Sequence, residues 1–253
     1  MNVLAVIPAR LGATRLPRKP LRLLGGAPLI HRVWQRVTAL QLADVVVVAT
    51  DSHEIVAAIT QAGGTAVLTR ADHPSGTDRI AEVARRHEYL PYEVILNVQG
   101  DEPFVDAVAV SGALAMVRER GFALGTASAP APSAALADPN VVKVVSAADG
   151  RAMYFSRAPI PWCRDPADAA EHASLARQHI GVYAYRREAL MQWVTLPPHP
   201  LERVERLEQL RALAAGIPMG VAVVETPPHG GVDTEEDLAR ADARWLHLYA
   251  GRT

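Results

Sequence analysis

Four basic residues crowd into ten positions early in the chain: Arg10, Arg15, Arg18 and Lys19. Lys and Arg number 26 in 253 residues, so this stretch is far above the chain's average. Cationic side chains at such density suit a polyphosphate, whose oxygens accept charge-assisted hydrogen bonds from guanidinium and ammonium groups. Gly12 permits close backbone approach, and Pro17 and Pro20 stiffen the segment that carries Lys19. A solvated surface loop is the plainer reading of a charged run. Position favours the phosphate site, because the run follows directly on apolar residues 3–7, which read as a buried strand ended by Pro8. Open α/β sheets place ligands beyond the carboxyl ends of such strands.

Two carboxylates could complete the site. Asp101 stands just past the apolar run 94–98, and Asp233 lies in the loop after the run 221–224. Hard cations such as Mg²⁺ take oxygen ligands and retain waters and substrate phosphates, so two carboxylates facing a nucleoside triphosphate are the expected minimum. Taken singly, each has a plainer role: Asp101 closing a turn and Asp233 capping the terminal helix.

Other chemistries lack their patterns. The basic loop has no Gly-Lys-Ser/Thr element and no G-x-G-x-x-G fingerprint, which removes a Walker loop and a dinucleotide-dependent oxidoreductase. There is no G-x-S-x-G, and the single cysteine, Cys163, allows neither an internal disulfide nor a cysteine-rich metal site. No histidine pair has helical metal-ligand spacing; His179 alone stands out, because it precedes a strand-like run. A net charge of −1 gives no reason to expect a nucleic-acid surface or a membrane partner. No apolar run approaches ~18 residues, and no signal peptide is recognised, so the expected home is the cytoplasm.

The elements that must position these groups alternate. Apolar residues at helical spacing run from Leu29 to Leu40, then a strand at 45–49, a helix through Ile55 and Ile59, and a strand at 65–68. Residues 69–79 read as a polar loop, with Thr77 a cap for the next helix. A strand at 94–98, a helix over 105–120 and a strand at 124–128 follow. Beyond the Ala/Pro-rich 129–139, strand-like runs at 141–145, 153–155 and 180–185 are separated by long irregular pieces, one of them opened by the polar 168–171. One helix is expected through Leu201–Leu213, stopped by Gly216 and Pro218. A last strand at 221–224 and a helix beginning at Asp233-Thr234 close the chain. The β-α-β alternation predicts an α/β fold with a mainly parallel sheet and helices on its faces. We read one domain over 1–253 with an inserted region at about 130–200, a candidate dimer surface.

Eight blocks then resemble, in order, the 3-deoxy-manno-octulosonate cytidylyltransferases: PARLGATRLPRKPL, TRADHPSGTDR, NVQGDEP, NVVKVV, YFSRAPIPW, HIGVYAYR, LERVERLEQLR and GVDTEEDL. They reach from Pro8 to Leu238. The resemblance implies a nucleotide-diphospho-sugar-transferase-like fold with a smaller dimerisation subdomain, a homodimer, and Mg²⁺ as cofactor. It implies transfer of CMP from CTP to the anomeric 2-hydroxyl of 3-deoxy-manno-octulosonate (Kdo), releasing pyrophosphate, for lipopolysaccharide assembly. By motif, Arg10, Arg15 and Lys19 would hold the CTP phosphates, and Ser75, Gly76, Thr77 and Arg79 would line the cytidine pocket. Gln99 would stand between nucleotide and sugar, and Asp101 and Asp233 would coordinate Mg²⁺. Arg157, His179, Tyr183, Glu208 and Gln209 would recognise the sugar acid.

Two positions depart from the family loop, which usually has Ser at Ala13 and often Gly at Arg18. An 8-amino Kdo analogue or a sialic acid is the alternative acceptor. A nucleotide-binding module without catalysis is the alternative of another class, and the presence of Lys19, Asp101 and Asp233 argues against it.

Overall fold

The computed structural model describes residues 1–12 and 15–249, so Ala13 lies outside the described residues. The chain forms two compact units. One joins residues 2–105 to 229–253; the other spans 106–228.

The first unit begins with β1 (Val3–Ala9), a short hairpin of β2 (Leu23–Leu24) and β3 (Ala27–Pro28), and α1 (Leu29–Ala39). It continues through β4 (Val45–Thr50), α2 (His53–Gln61), β5 (Thr65–Leu68), α3 (Gly76–Ala84) and β6 (Val94–Asn97). The strands β6, β1, β4 and β5 lie side by side and all run parallel, as alternating strands and helices require. Residues 3–7 and 94–96 are almost wholly inaccessible, which is why these strands read as continuous apolar runs.

Pro8 does not end β1; the strand runs on to Ala9 and still pairs with β4 there. Pairing with β6 stops at Val6↔Asn97. The Pro8 carbonyl faces Gly100, beyond the end of β6. The missing N–H of Pro8 faces the same way and leaves no ladder bond unmade.

Helix starts follow local capping rather than the first apolar residue. Ser75, not Thr77, caps α3: its Oγ accepts from the Asp78 N–H at 3.2 Å, and Thr77 is buried inside the helix. The terminal helix, Glu235–Tyr249, is preceded by a reciprocal cap. The Asp237 N–H donates to Thr234 Oγ1 at 3.1 Å, and the Thr234 N–H donates to Asp237 Oδ2 at 2.9 Å. Trp245 on this helix covers Gly25, where a Cβ would come within 2.1 Å of the indole, and Arg32 stacks on its ring at 4.4 Å.

The second unit contains α4 (Ala107–Arg118), β7 (Leu124–Pro130), α5 (Ser133–Ala137), β8 (Lys143–Ser146) and β9 (Ala152–Ser156). It continues with α6 (Ala169–Leu175), β10 (Arg177–Arg186), α7 (Arg187–Trp193), α8 (Pro200–Glu205), α9 (Gln209–Ala214) and β11 (Met219–Val223). Here β7 pairs parallel with β11 and antiparallel with β10, while β8 runs antiparallel to both β9 and β10. Helix α4 packs on β7, β10 and β11.

Three expectations change in this unit. The polar segment after 168 forms α6 instead of an irregular piece, entered through a short 3-10 turn capped by Asp165. The single helix expected over Leu201–Leu213 is two, because Arg206 takes a left-handed conformation (φ 55°) and turns the chain. The strands at 143–146 and 177–186 are also shifted from the expected limits, since hydrogen bonding and not apolarity alone sets their ends.

Candidate active site

The basic loop is anchored by its apolar residue. Leu16 is wholly buried, and its carbonyl accepts from the Lys19 N–H at 3.1 Å, opening a single 3-10 turn over Lys19–Leu21. That turn aims the Lys19 ammonium between two carboxylates, at 2.5 Å from Asp101 Oδ2 and 2.8 Å from Asp233 Oδ1. Arg15 adds a second cation at 2.9 Å from Asp233 Oδ2.

Each carboxylate has its own support. Asp101 sits in the turn after β6, closed by Glu102 N–H to the Gln99 carbonyl at 3.2 Å. Gly100 lets this turn press against β1, since a Cβ there would come within 2.6 Å of the Pro8 carbonyl. The Val232 N–H donates to the Asp101 carbonyl at 2.9 Å, bringing the 229–233 loop alongside. Because Thr234 caps the terminal helix, the Asp233 carboxylate is available to face Lys19.

Electrostatics match this arrangement. Burial works against the Lys19 ammonium, but Asp101 and Asp233 outweigh it and hold its pKa above the usual lysine value. Glu102 behaves in the opposite sense. Burial, then the charges of Asp101 and Asp233, push its carboxyl up to about 7. Glu102 falls within the NVQGDEP block and has no role assigned from the sequence.

These groups border a cavity of about 420 Å³, a volume usual for small-molecule sites. Among the described residues, Arg10, Arg15, Lys19, Ser75, Gly76, Arg79, Gln99, Asp101 and Asp233 all line it. Thr77 does not line it. His73, which sequence reasoning passed over, does; its Nε2 is paired with Glu82. The backbone N–H groups that open α3 meet the cavity at Ser75 and Gly76, a placement that favours anions. Arg79 is 3% exposed and already committed: Nη1 donates to Thr69 Oγ1 at 2.5 Å and Nη2 to Asp51 Oδ2 at 3.0 Å. It braces the ends of β4, β5 and α3 at the cavity wall. Arg18 turns away: it is exposed and ion-paired with Glu54 at 2.5 Å. Its φ of 57° lies in the left-handed region, where glycine is the easy occupant.

Apart from Gln99, the residues expected to meet a sugar acid lie in the second unit. A bulge in β10 shifts the register between Ile180 and Tyr183. In a regular strand, residues four apart are separated by about 13 Å. The bulge instead brings the His179 and Tyr183 rings to 5.4 Å, with Phe155 edge-on to His179 at 5.0 Å. Thr126 Oγ1 lies 2.8 Å from both His179 Nε2 and the Val182 carbonyl. With the one hydroxyl proton directed at that carbonyl, His179 is the donor through Nε2. Burial pushes the His179 pKa down to about 3, so the ring is neutral. Burial, then the charges of Tyr185 and Glu208, raises the Tyr183 phenol well above its usual value. Gln209, at the start of α9, is buried.

Arg157 is held differently. Its Nε donates to the Glu205 carbonyl at 2.8 Å and Nη1 to the Pro139 carbonyl at 2.9 Å. The Glu205 carboxylate instead takes the Arg157 backbone N–H at 2.9 Å and the Ser156 hydroxyl at 2.6 Å. The guanidinium thus rests on neutral carbonyls.

A basic loop lining a cavity, two carboxylates beside it and a parallel α/β frame fit a nucleotide-using class of enzyme. The sequence matches the family model for cytidylyltransferases over residues 4–221. A 3-deoxy-manno-octulosonate cytidylyltransferase of Gemmatimonas aurantiaca is 58% identical across 100% of this chain and 98% of its own. One from Methylococcus capsulatus is 48% identical over 98% of this chain and 97% of its own. The solved structure of a CMP:2-keto-3-deoxy-manno-octonic acid synthetase complexed with CTP matches with a TM-score of 0.90 and 37% identity, covering 98% of this chain and 100% of that one. The chain belongs to the 3-deoxy-manno-octulosonate cytidylyltransferase family.

Proposed function

We propose that the protein transfers CMP from CTP to the anomeric 2-hydroxyl of Kdo, giving CMP-Kdo and pyrophosphate for lipopolysaccharide biosynthesis. The observation that carries this reading is the convergence of Lys19, Asp101 and Asp233 on the lining of the cavity, in a chain similar end to end to enzymes of that name.

Arg10, Arg15 and Lys19 take the triphosphate, with Ser75 and Gly76 presenting the α3 terminus to the nucleotide. Arg79 lines the cytidine pocket, and Thr77 acts on it from behind, through the packing of α3. Asp101 and Asp233 suit a divalent metal. Asp101 Oδ2 and Asp233 Oδ1 both accept from one ammonium, so they already converge on a point that holds a cation. Mg²⁺ is the proposed ion; bound there, it would neutralise phosphoryl charge and acidify the attacking hydroxyl. The chain's own residues orient and neutralise: Lys19 and the arginines offset charge on the phosphoryl oxygens as the sugar hydroxyl attacks the α-phosphorus and pyrophosphate leaves in line. No covalent enzyme intermediate is needed, and no single side chain is assigned as sole general base.

For the sugar acid we propose Gln99, Arg157, His179, Tyr183, Glu208 and Gln209. Neutral His179 can hydrogen-bond a hydroxyl but supplies no charge. The carboxylate therefore falls to Arg157, whose guanidinium is not engaged in any ion pair among the described residues. We also propose a cytoplasmic homodimer. No helix among the described residues is long and apolar enough to cross a membrane. Met153, Trp162 and Leu175 stand 64%, 78% and 55% exposed in the 130–200 region, as a partner-facing surface requires. Sedimentation of Trp162→Asp tests the dimer: a monomer is expected, and an unchanged sedimentation coefficient would reject this surface.

The acceptor is tested by incubating the protein with CTP, Mg²⁺ and Kdo, its 8-amino analogue or a sialic acid, and following pyrophosphate. Release with Kdo is expected. Turnover with a sialic acid but none with Kdo would overturn the assignment, and tight CTP binding without turnover on any acid would support a non-catalytic module.

A further inference from the structure

Lys143 is the buried ammonium that nothing in the proposed reaction uses. It is 0% exposed, and no carboxylate among the described residues pairs with it. Its Nζ donates to three backbone carbonyls: Asp138 at 2.9 Å, Val141 at 2.7 Å and Arg157 at 2.5 Å. A charged group is costly to bury unless its donors are satisfied, and three acceptors are the number an ammonium can use.

The identity of those carbonyls matters. One belongs to Arg157 itself. The other two frame the turn whose Pro139 carbonyl holds Arg157 Nη1. One ammonium therefore ties the Arg157 backbone to the turn that supports the Arg157 guanidinium. The sheet extends the link. Lys143 lies abreast of Ser156 on β9 and Gln178 on β10, the residues that immediately precede Arg157 and His179. All three are buried, and the next rung is fixed by the His179 N–H donating to the Val142 carbonyl at 2.8 Å. Ser156 is held by Glu205 and Gln178 by the Pro130 carbonyl, so the row is a satisfied polar ladder behind Arg157 and His179.

We infer that Lys143 is a positioning residue for the sugar acid, acting through its bonds to the Arg157 carbonyl and to the 138–141 turn. The inference rests on the reading of Arg157 as the carboxylate ligand. Substrate does not reach the ammonium; its part is to keep the guanidinium aimed.

The test compares Lys143→Met, Arg157→Ala and the double variant in steady-state assays with Kdo and CTP varied separately. Lys143→Met is expected to raise the KM for Kdo about tenfold while leaving the KM for CTP within about twofold of wild type. Added to Arg157→Ala, it should worsen the KM for Kdo by no more than about twofold, because both act through one group. Lys143→Gln, which retains two donors, should fall between wild type and Lys143→Met, and it carries the test if the methionine variant does not fold. An unchanged KM for Kdo in the lysine variants, with Arg157→Ala impaired, would overturn the role of Lys143 and leave that of Arg157 standing. Full additivity in the double variant would do the same. A normal KM for Kdo in Arg157→Ala would remove the underlying reading and the inference with it.

Discussion

The two units keep their polar groups in opposite ways. In residues 2–105 and 229–253, the working groups are charged, partly open to solvent and paired with each other: Lys19 with Asp101 and Asp233, Arg15 with Asp233. In residues 106–228 the corresponding groups are neutral or lean on backbone: His179 loses its charge to burial, and Arg157 and Lys143 rest on carbonyls. The difference fits the two ligands proposed. A triphosphate with a metal brings many charges of its own, and side chains that can exchange partners receive it well. A sugar acid carries one charge and several hydroxyls, and a rigid set of neutral donors with one cation discriminates it better.

The sharpest way to break the contrast is to neutralise the paired carboxylates. Asp101→Asn and Asp233→Asn should each lower turnover by about a hundredfold or more, with thermal stability little changed, because the loss falls on charge at the reacting phosphate. Near wild-type rates at limiting Mg²⁺ would remove both from the metal. Next in size, Lys19→Ala should raise the KM for CTP about tenfold and also slow turnover, since its charge acts on the triphosphate. An unaltered response to CTP would place Lys19 outside the site.

The neutral side is tested by pH. The folded pKa of His179 is about 3, below its unfolded value of roughly 6.5. The folded state thus binds fewer protons between those values. Its contribution to stability is full above pH 6.5 and is lost as pH falls toward 3. On going from pH ~6.5 to ~5 that loss is about 2 kcal/mol. His179→Gln should remove it, so the difference between the two denaturation curves should shrink over this window. Curves that stay parallel would mean that His179 is not held neutral. The smallest effect belongs to Arg18→Gly. It deletes an exposed pair while relieving a left-handed backbone, and CTP use should stay within about twofold of wild type. A larger change would bring Arg18 into the phosphate site.

Much of the first unit was legible because its periodicities are local. Apolar runs such as 3–7 and 45–49 announce buried parallel strands, and Asp101 was found by standing just past one. What could not be read was conformational choice at single residues. The left-handed turn at Arg206 splits an amphipathic pattern that is continuous in sequence, and Thr234 takes the cap that the plainer reading gave to Asp233. Glu102 was invisible as a special group because its altered acidity comes first from burial, and then from the charges of Asp101 beside it and of Asp233, 131 positions away in sequence. In the second unit, Arg157 and Tyr183 were named from family blocks, and His179 stood out beforehand only as the histidine preceding a strand-like run. Spacing alone would have separated His179 from Tyr183, and only the bulge in β10 unites them.

The most direct test of the central claim is phosphorus NMR of the protein mixed with CTP, Mg²⁺ and Kdo. The expected result is a new phosphodiester resonance of CMP-Kdo growing in step with pyrophosphate, and absent when Kdo is omitted. Pyrophosphate released with free CMP and no phosphodiester, or no change in the CTP resonances, would contradict it.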